Sequence, residues 1–237
     1  VGFLPDNEES GKLEITGELN LFLENSFKKG ETISLNWQKL EKSSQKLNTA
    51  FSYPYLFRTF LGVKADFSLL KKDTLYLRVN YNIGIQYLLA SHNYVEFFMN
   101  RKKSSLLFDS QSISSINSQE LANTNTTLFG FAFLFENLDY RYNPSKGYVA
   151  DISLASGNKR IRPSNSENEN DELPGKTNHI EVMTDLSYFF NLPGRFSLKT
   201  NNRSGFMISD YLFENEFFCM GGLKTLRGFD EASLPVS

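Results

Sequence analysis

Apolar and polar residues alternate one for one along much of this chain. In the longest stretch, residues 75–87, every odd-numbered residue is aliphatic or aromatic and most even-numbered residues are polar. Successive side chains of a β-strand point to opposite faces, so this pattern predicts a strand with one apolar and one polar face. A tilted strand crosses a bilayer in about 9–11 residues, and this strand is long enough to do so.

The same alternation marks further strands on both sides of this one. The regular examples are residues 13–23, 33–37, 61–69, 152–154, 180–188 and 196–198. Three less regular segments, Gln45–Tyr53, residues 94–102 and residues 126–136, fill the gaps between them. The sequence therefore predicts an all-β, antiparallel fold with about ten strands.

The polar face of these strands is charged, whereas the apolar face is rich in Leu, Ile and aromatic residues. The charged positions are Glu14, Glu18, Lys64, Asp66, Arg78, Asp151, Glu181, Asp185, Lys199 and Arg203. A transmembrane β-barrel needs this division, with apolar side chains toward lipid and polar ones toward the lumen. The alternative is a soluble sandwich or lipocalin-like barrel, whose strands also alternate. About ten strands in a sandwich would need two sheets and stronger breaks in the strand order.

The connections between the strands alternate in length, as a barrel built hairpin by hairpin requires. Tight turns are predicted at residues 25–30, 53–55, 143–147 and 191–194. The opposite rim has two short connections, residues 41–44 and 71–73, and two long polar ones, residues 104–124 and 158–176. We therefore predict that the tight turns face the periplasm and the long loops face outward. The predicted periplasmic turn residues are Pro54, Tyr55, Asn143, Pro144 and Gly147.

Charge and cysteine content exclude several classes of function. The formal net charge of −2 provides no basic field for nucleic acid. No apolar run approaches the ~20 residues of a membrane-spanning helix. The single cysteine, Cys219, cannot form an internal disulfide. Because the chain starts at Val1 without a Met and stops within a predicted loop, we expect it to be a segment of a longer protein.

Few residues suggest catalysis or metal binding. His92 and His179 are far apart in sequence and are predicted to lie at strand ends, so they do not indicate a metal pair. The acidic residues of segment 167–172 lack the glycine-punctuated spacing of a calcium loop. Cys219 lies beside Met220 in an apolar stretch and is interpreted as a packing residue. The sequence predicts no catalytic residues, no metal site, no cofactor and no enzymatic activity.

The end of the chain contains a recognisable motif. A Gly-Gly pair is followed by an apolar residue and then by Arg-Gly-Phe; the motif residues are Gly221, Gly222, Leu226, Arg227, Gly228 and Phe229. This stretch resembles the sixth extracellular loop of the BamA/TamA superfamily of outer-membrane insertases. The turns near Asn25, Pro54 and Asn143 are similar to turns of the same family, so the resemblance extends over nearly the whole chain.

The resemblance implies a specific architecture. The chain corresponds to about ten strands of a sixteen-stranded barrel, the second through the eleventh, with residues 1–5 as the end of the first strand. Residues 209–237 then form a loop that folds into the barrel, where Arg227 reaches an acidic residue on a later strand. A guanidinium suits this role because its planar fork can bind a carboxylate in a bidentate manner. The remaining strands and the upstream periplasmic POTRA domains lie outside this sequence.

The resemblance also implies a function in the bacterial outer membrane. The expected protein folds and inserts client β-barrels, and its expected partners are outer-membrane lipid, those clients and accessory lipoproteins of an assembly complex. Three alternatives remain: a two-partner secretion pore, a passive porin or receptor, and an assembly protein fused to a lipase-like enzyme upstream.

Overall fold

Eleven strands follow one another along the chain and pair in sequence order in one antiparallel sheet. They are β1 (Gly2–Pro5), β2 (Leu13–Glu24), β3 (Thr32–Lys39), β4 (Gln45–Tyr53), β5 (Leu61–Lys72), β6 (Tyr76–Leu88), β7 (Tyr94–Leu106), β8 (Asn123–Leu138), β9 (Gly147–Arg162), β10 (Thr177–Asn191) and β11 (Ser197–Ser209). Two short strands, β12 (Phe218–Met220) and β13 (Leu234–Val236), form a separate pair. The prediction of an all-β antiparallel fold is confirmed.

The computed structural model describes residues 2–5, 13–39, 44–73, 75–89, 92–107, 121–162, 175–194, 196–220 and 234–236. Besides strands, these residues form two short 3₁₀ turns, Leu56–Arg58 and Glu214–Glu216. Neither turn, nor any other helical segment in the described ranges, has the length and apolar character needed to span a membrane. The acidic segment 167–172 lies outside the described residues.

In the pairing register, polar side chains lie opposite polar ones on one face of the sheet, and apolar side chains lie opposite apolar ones on the other. Asp66 of β5 lies opposite Asn82 of β6, and the neighbouring pair, Phe67 and Tyr81, lies on the other face with ring centroids 5.2 Å apart. The apolar face is open: Ile83 is 60% exposed and Phe206 is 63% exposed. In a sandwich this face would be buried against a second sheet. The eleven-stranded sheet instead has an exposed apolar surface, as a lipid-facing barrel wall has.

The sheet curves toward its polar face. Lys102 of β7 is level with Thr177 of β10 in the pairing register, and Glu181 lies four residues further along β10. In a flat sheet the three strand spacings alone would separate the two strands by ~14 Å. The Lys102 ammonium is nevertheless 2.5 Å from the Glu181 carboxylate. Because the two side chains meet, the polar face must be concave, and we call it the inner face.

Several strands are longer than the sequence predicts, and β7 and β9 show the clearest cases. Residues 104–106 and 158–162, assigned above to loops, belong to β7 and β9. The polar composition of residues 158–160 suggested a loop, but the strand continues because Ile161 is buried with Ala122 and Phe213. Phe213 follows β11, so this burial depends on a distant part of the chain.

The inner face also has an apolar patch that the sequence did not predict. Phe98 of β7, Leu128 of β8 and Ala155 of β9 form a buried cluster on it. Gly130 makes room for the cluster, since a Cβ there would contact the Phe98 ring and the Ala155 methyl group. Curvature brings these side chains together and excludes water, so an apolar cluster is stable on a face that is otherwise polar.

Candidate functional site

After β11 the chain turns back onto the inner face, at the rim where the long connections lie. We call residues 210–217 the loop base. At its start the Thr177 hydroxyl of β10 donates a hydrogen bond to the Asp210 carboxylate. Phe213 and Asn215 are buried further along it. The loop base is thus packed against the sheet.

Asn215 is the centre of the loop base. Its side chain is completely buried. The Asn215 amide nitrogen donates to the Ser104 hydroxyl at 2.8 Å and to the Ala122 carbonyl at 2.7 Å. Its amide oxygen accepts from the Ala122 backbone N–H at 3.3 Å. A buried amide needs such partners, because without hydrogen bonds nothing offsets the free energy lost when the amide is removed from water.

A buried lysine on β9 holds the residues on either side of Asn215. The Lys159 ammonium forms an ion pair with Glu216 and donates to the Tyr211 carbonyl. It also lies 5.2 Å from the centre of the Phe213 ring. Lys159 is fully buried, and a buried charge without a partner would be strongly destabilising. The loop base supplies those partners.

Arg78 of β6 binds the backbone of the loop base. Its guanidinium donates to the carbonyl oxygens of Asn215 and Phe217, the latter at 3.3 Å. Four strands of the sheet therefore contact this short segment, through Arg78 on β6, Ser104 on β7, Lys159 on β9 and Thr177 on β10. Ala122, which immediately precedes β8, contacts it as well. The contacts come from strands that are far apart in a flat sheet, so they depend on its curvature.

A second charged cluster lies beside the loop base. Glu181 accepts from Lys102 at 2.6 Å and is 2.8 Å from His179 Nε2. His179 was predicted to lie at a strand end; it is the third residue of β10 and is buried. His92 precedes β7 and lies 3.7 Å from Glu136. Across the described ranges no three His, Cys, Asp or Glu side chains are grouped to hold a metal ion.

The predicted loop motif, Gly221 to Phe229, lies outside the described residues. The inward contact of Arg227 therefore stays a prediction. The described strands β12 and β13 flank the motif and pair with each other, with Phe218 opposite Val236. The motif lies between these two strands in the sequence, and the sequence did not predict either strand. Cys219 lies in β12.

The predicted turn residues lie at the rim opposite the loop base. Pro54 and Tyr55 connect β4 to β5, and Tyr55 has a left-handed backbone with φ of 55°. Asn143 and Pro144 lie between β8 and β9, and Gly147 is the first residue of β9. Gly147 has a φ of +124°, and a Cβ there would collide with the Asn137 carbonyl oxygen. Only glycine fits this position without strain.

An aspartate organises the turn between β8 and β9. One oxygen of Asp139 accepts from the backbone N–H groups of Tyr140, Ser145 and Lys146 at 2.9, 3.0 and 3.1 Å. The other oxygen accepts from the Ser145 hydroxyl. These hydrogen bonds lower the pKa of Asp139 to about 2, and the bond from the Ser145 side chain has the largest effect.

The turn between β2 and β3 uses a carboxylate in the same way. Glu31 accepts from the backbone N–H groups of Phe27 and Lys29, the latter at 3.0 Å. The Phe27 hydrogen bond is the main cause that lowers the pKa of Glu31. Asn25 completes the turn by accepting from the Gly30 N–H at 2.8 Å. Both turns therefore have their backbone donors satisfied by an acidic side chain.

The sequence did not identify the residues that hold the loop base. Asn215 carries no pattern that predicts burial. Lys159 was assigned to a loop, although its odd number places it on the same face as Asp151 once β9 is extended. The two-residue spacing of His179 and Glu181 predicts that they share a face, but nothing in it predicts Lys102 as a partner.

One comparison with known proteins finds a relationship. The family model described as the Omp85 superfamily domain matches residues 25–236, which is most of the chain and includes every strand from β3 to β13. No curated protein matches the chain.

Proposed function

The chain belongs to the Omp85 superfamily, and from this premise we propose that it is the barrel segment of a factor that folds and inserts other β-barrel proteins into the bacterial outer membrane. Members of this family are outer-membrane β-barrels that insert or secrete proteins. The proposed role needs no catalytic residue and no cofactor. Its proposed partners are outer-membrane lipid, unfolded client barrels and accessory lipoproteins.

The physical basis of the proposal is an unpaired strand edge. In lipid a backbone N–H or C=O without a partner costs several kcal/mol, so an isolated client strand inserts only at great cost. A barrel that opens at the seam between its first and last strands offers those missing partners to the client. Such a barrel needs a support that keeps its shape while the seam is open.

The observation that carries the proposal is the position of the loop base. Asn215 is fully buried against β7 and the residue before β8, and Lys159 of β9 is paired with Glu216. A segment held inside a curved sheet braces that sheet against flattening. The same segment leads directly into the motif that contains Arg227, which we propose to reach an acidic residue on a later strand.

The test is an insertion assay with the full-length protein in proteoliposomes. An unfolded client barrel is added, and its folding is followed by the shift in electrophoretic mobility that boiling abolishes. We expect the protein to accelerate client folding, and Arg227→Ala to reduce this acceleration while its own barrel stays folded. Asn178→Ala, on the exposed side of β10, is the control and should behave like the native protein.

Different outcomes would favour the alternatives. A protein that passes one dedicated unfolded substrate through its lumen, and does not accelerate client insertion, would be a two-partner secretion pore. Steady single-channel conductance without either activity would indicate a passive porin or receptor. If Arg227→Ala left folding, abundance and client insertion unchanged in cells, the proposed role of Arg227 would be wrong.

A further inference from the structure

We propose that the loop base is an anchor in its own right, which holds the start of the terminal loop on the inner face independently of Arg227, and that Asn215 is its main positioning residue. The loop would then be attached at two places. One attachment is the network around Asn215, and the other is the contact that the Arg-Gly-Phe motif makes elsewhere.

The loop base makes several separate contacts with the sheet. Asn215 makes three hydrogen bonds, two through its amide nitrogen and one through its oxygen. Glu216 makes the ion pair with Lys159. Arg78 adds hydrogen bonds to two backbone carbonyls. Each contact is made by residues 210–217 alone, so none of them needs the motif to be in place.

The centre of the loop base is deeply buried. Asn215 and Lys159 are both 0% exposed, whereas the other buried polar or charged residues in the described parts of the chain are at least 2% exposed. A long connection between strands is usually mobile because its backbone is solvated. Residues 213–216 differ from such a connection. If they left the inner face, Lys159 and the Ala122 backbone would lose their partners.

The two proposed attachments involve strands on opposite sides of the loop in the sequence. The strands that contact the loop base, β6, β7, β9 and β10, all precede it in the sequence. The family resemblance places the acidic partner of Arg227 on a strand that follows the loop. Two attachments on different parts of the wall would fix both the position and the direction of the loop, whereas a single one would leave it free to pivot.

Asparagine suits the anchor because it presents a donor and an acceptor in one plane. The pair of bonds to Ala122, one donated to its carbonyl and one accepted from its N–H, resembles the pairing between neighbouring strands. The Asn215 side chain thus pairs with the residue just before β8 in the way that a neighbouring strand would. Alanine at position 215 would leave both groups of Ala122 unpaired.

Hydrogen exchange measured by mass spectrometry on the full-length protein in lipid nanodiscs tests the anchor. We expect Asn215→Ala to accelerate amide exchange in peptides covering residues 210–217 and 121–124 by about tenfold or more, because a lost buried hydrogen bond shifts local opening by that order. Peptides from β3 to β5 should be unaffected. Asn178→Ala is the matched control, an exposed asparagine at the same rim.

Two further variants separate the anchor from the motif and from global instability. Glu216→Gln removes the charge that pairs with Lys159 and should accelerate exchange in the same peptides. Arg227→Ala should leave their exchange within about twofold of the native rate. If Asn215→Ala fails to fold, Glu216→Gln still decides the question.

Three results would overturn the anchor. Unchanged exchange at residues 210–217 in both Asn215→Ala and Glu216→Gln would mean that their contacts do not hold the segment. Release of the loop base by Arg227→Ala alone would mean that the motif holds it. Equal acceleration throughout the sheet would mean general destabilisation. The anchor does not depend on insertase activity, so a failed insertion assay would leave these expectations unchanged.

Discussion

Lys102 and Glu181 form an ion pair of 2.5 Å between β7 and β10, with two strands lying between them. The pair exists only because the sheet curves, so it reports directly on the curvature of the inner face. The ion pair is also partly buried, with 26% of the Lys102 side chain and 7% of the Glu181 side chain exposed.

A double-mutant cycle should measure what this pair contributes to stability. We expect a coupling of about 1–2 kcal/mol between Lys102→Met and Glu181→Gln, less than for a fully buried pair because Lys102 is partly hydrated. Glutamine keeps a hydrogen-bonding group beside His179. Urea unfolding in lipid vesicles is the measurement. The more exposed pair of Asp185 and Arg203 is the control, with an expected coupling below about 1 kcal/mol.

The assignment of the two faces predicts opposite responses to a new charge on β6. Lysine in place of Ile83, on the exposed apolar face, should cost about 2–4 kcal/mol if it lies near the middle of the bilayer. Lysine in place of the adjacent Asn82 should be tolerated far better, because it faces Asp66. Equal effects of the two substitutions on the folded fraction in vesicles would show that the faces are wrongly assigned.

The turn between β8 and β9 should not accept a side chain at Gly147. Gly147→Ala combines a φ of +124° with a collision against the Asn137 carbonyl, and we expect a loss of about 1–3 kcal/mol. Gly175→Ala is the control, since a Cβ there contacts nothing within 4 Å. Comparing the two variants by urea unfolding tests the turn. A Gly147→Ala protein as stable as Gly175→Ala would contradict the described geometry.

The Asp139 carboxyl should titrate near pH 2. Because its pKa in the folded protein is below the ordinary value of 3.8, the stability that it contributes is complete above that value and is lost as the pH falls through about 2. The contribution should therefore not vary between pH 5 and pH 8. Carboxyl-carbon chemical shifts, followed by NMR in detergent micelles, give the titration midpoint.

Ser145→Ala provides the comparison for this titration. Removing the Ser145 hydroxyl deletes the largest cause of the lowered pKa, so the midpoint of Asp139 should rise toward 3.8. A native midpoint already at the ordinary value, or one that does not respond to Ser145→Ala, would mean that the hydrogen bonds of the turn are not formed in solution.

The strand order and the faces of the sheet could be predicted from the sequence because both depend on local rules. Alternation of apolar and polar residues has a period of two, so it identifies a strand and its two faces without knowledge of any partner. Turn residues such as Pro54 and Gly147 mark where strands end because their backbone geometry is restricted. The Arg-Gly-Phe motif then indicated the family, to which the chain belongs.

Other features depended on which residues meet after the sheet has curved. Residues 158–162 were predicted as a loop from their polarity, yet they extend β9 because Phe213 covers Ile161. The short strands β12 and β13 were not predicted, since three residues are too few to display a period. The inner apolar cluster of Phe98, Leu128 and Ala155 was not predicted either, because the alternation in β7 and β8 is irregular.

The sequence by itself determined that the chain forms consecutive antiparallel strands with one apolar and one charged face, because side-chain direction along a strand is a local property. Only the tertiary structure decided that Asn215, Lys159 and Glu216 meet on the inner face. Their contacts join residues more than fifty positions apart, and such contacts form only when curvature brings separate strands to the same point.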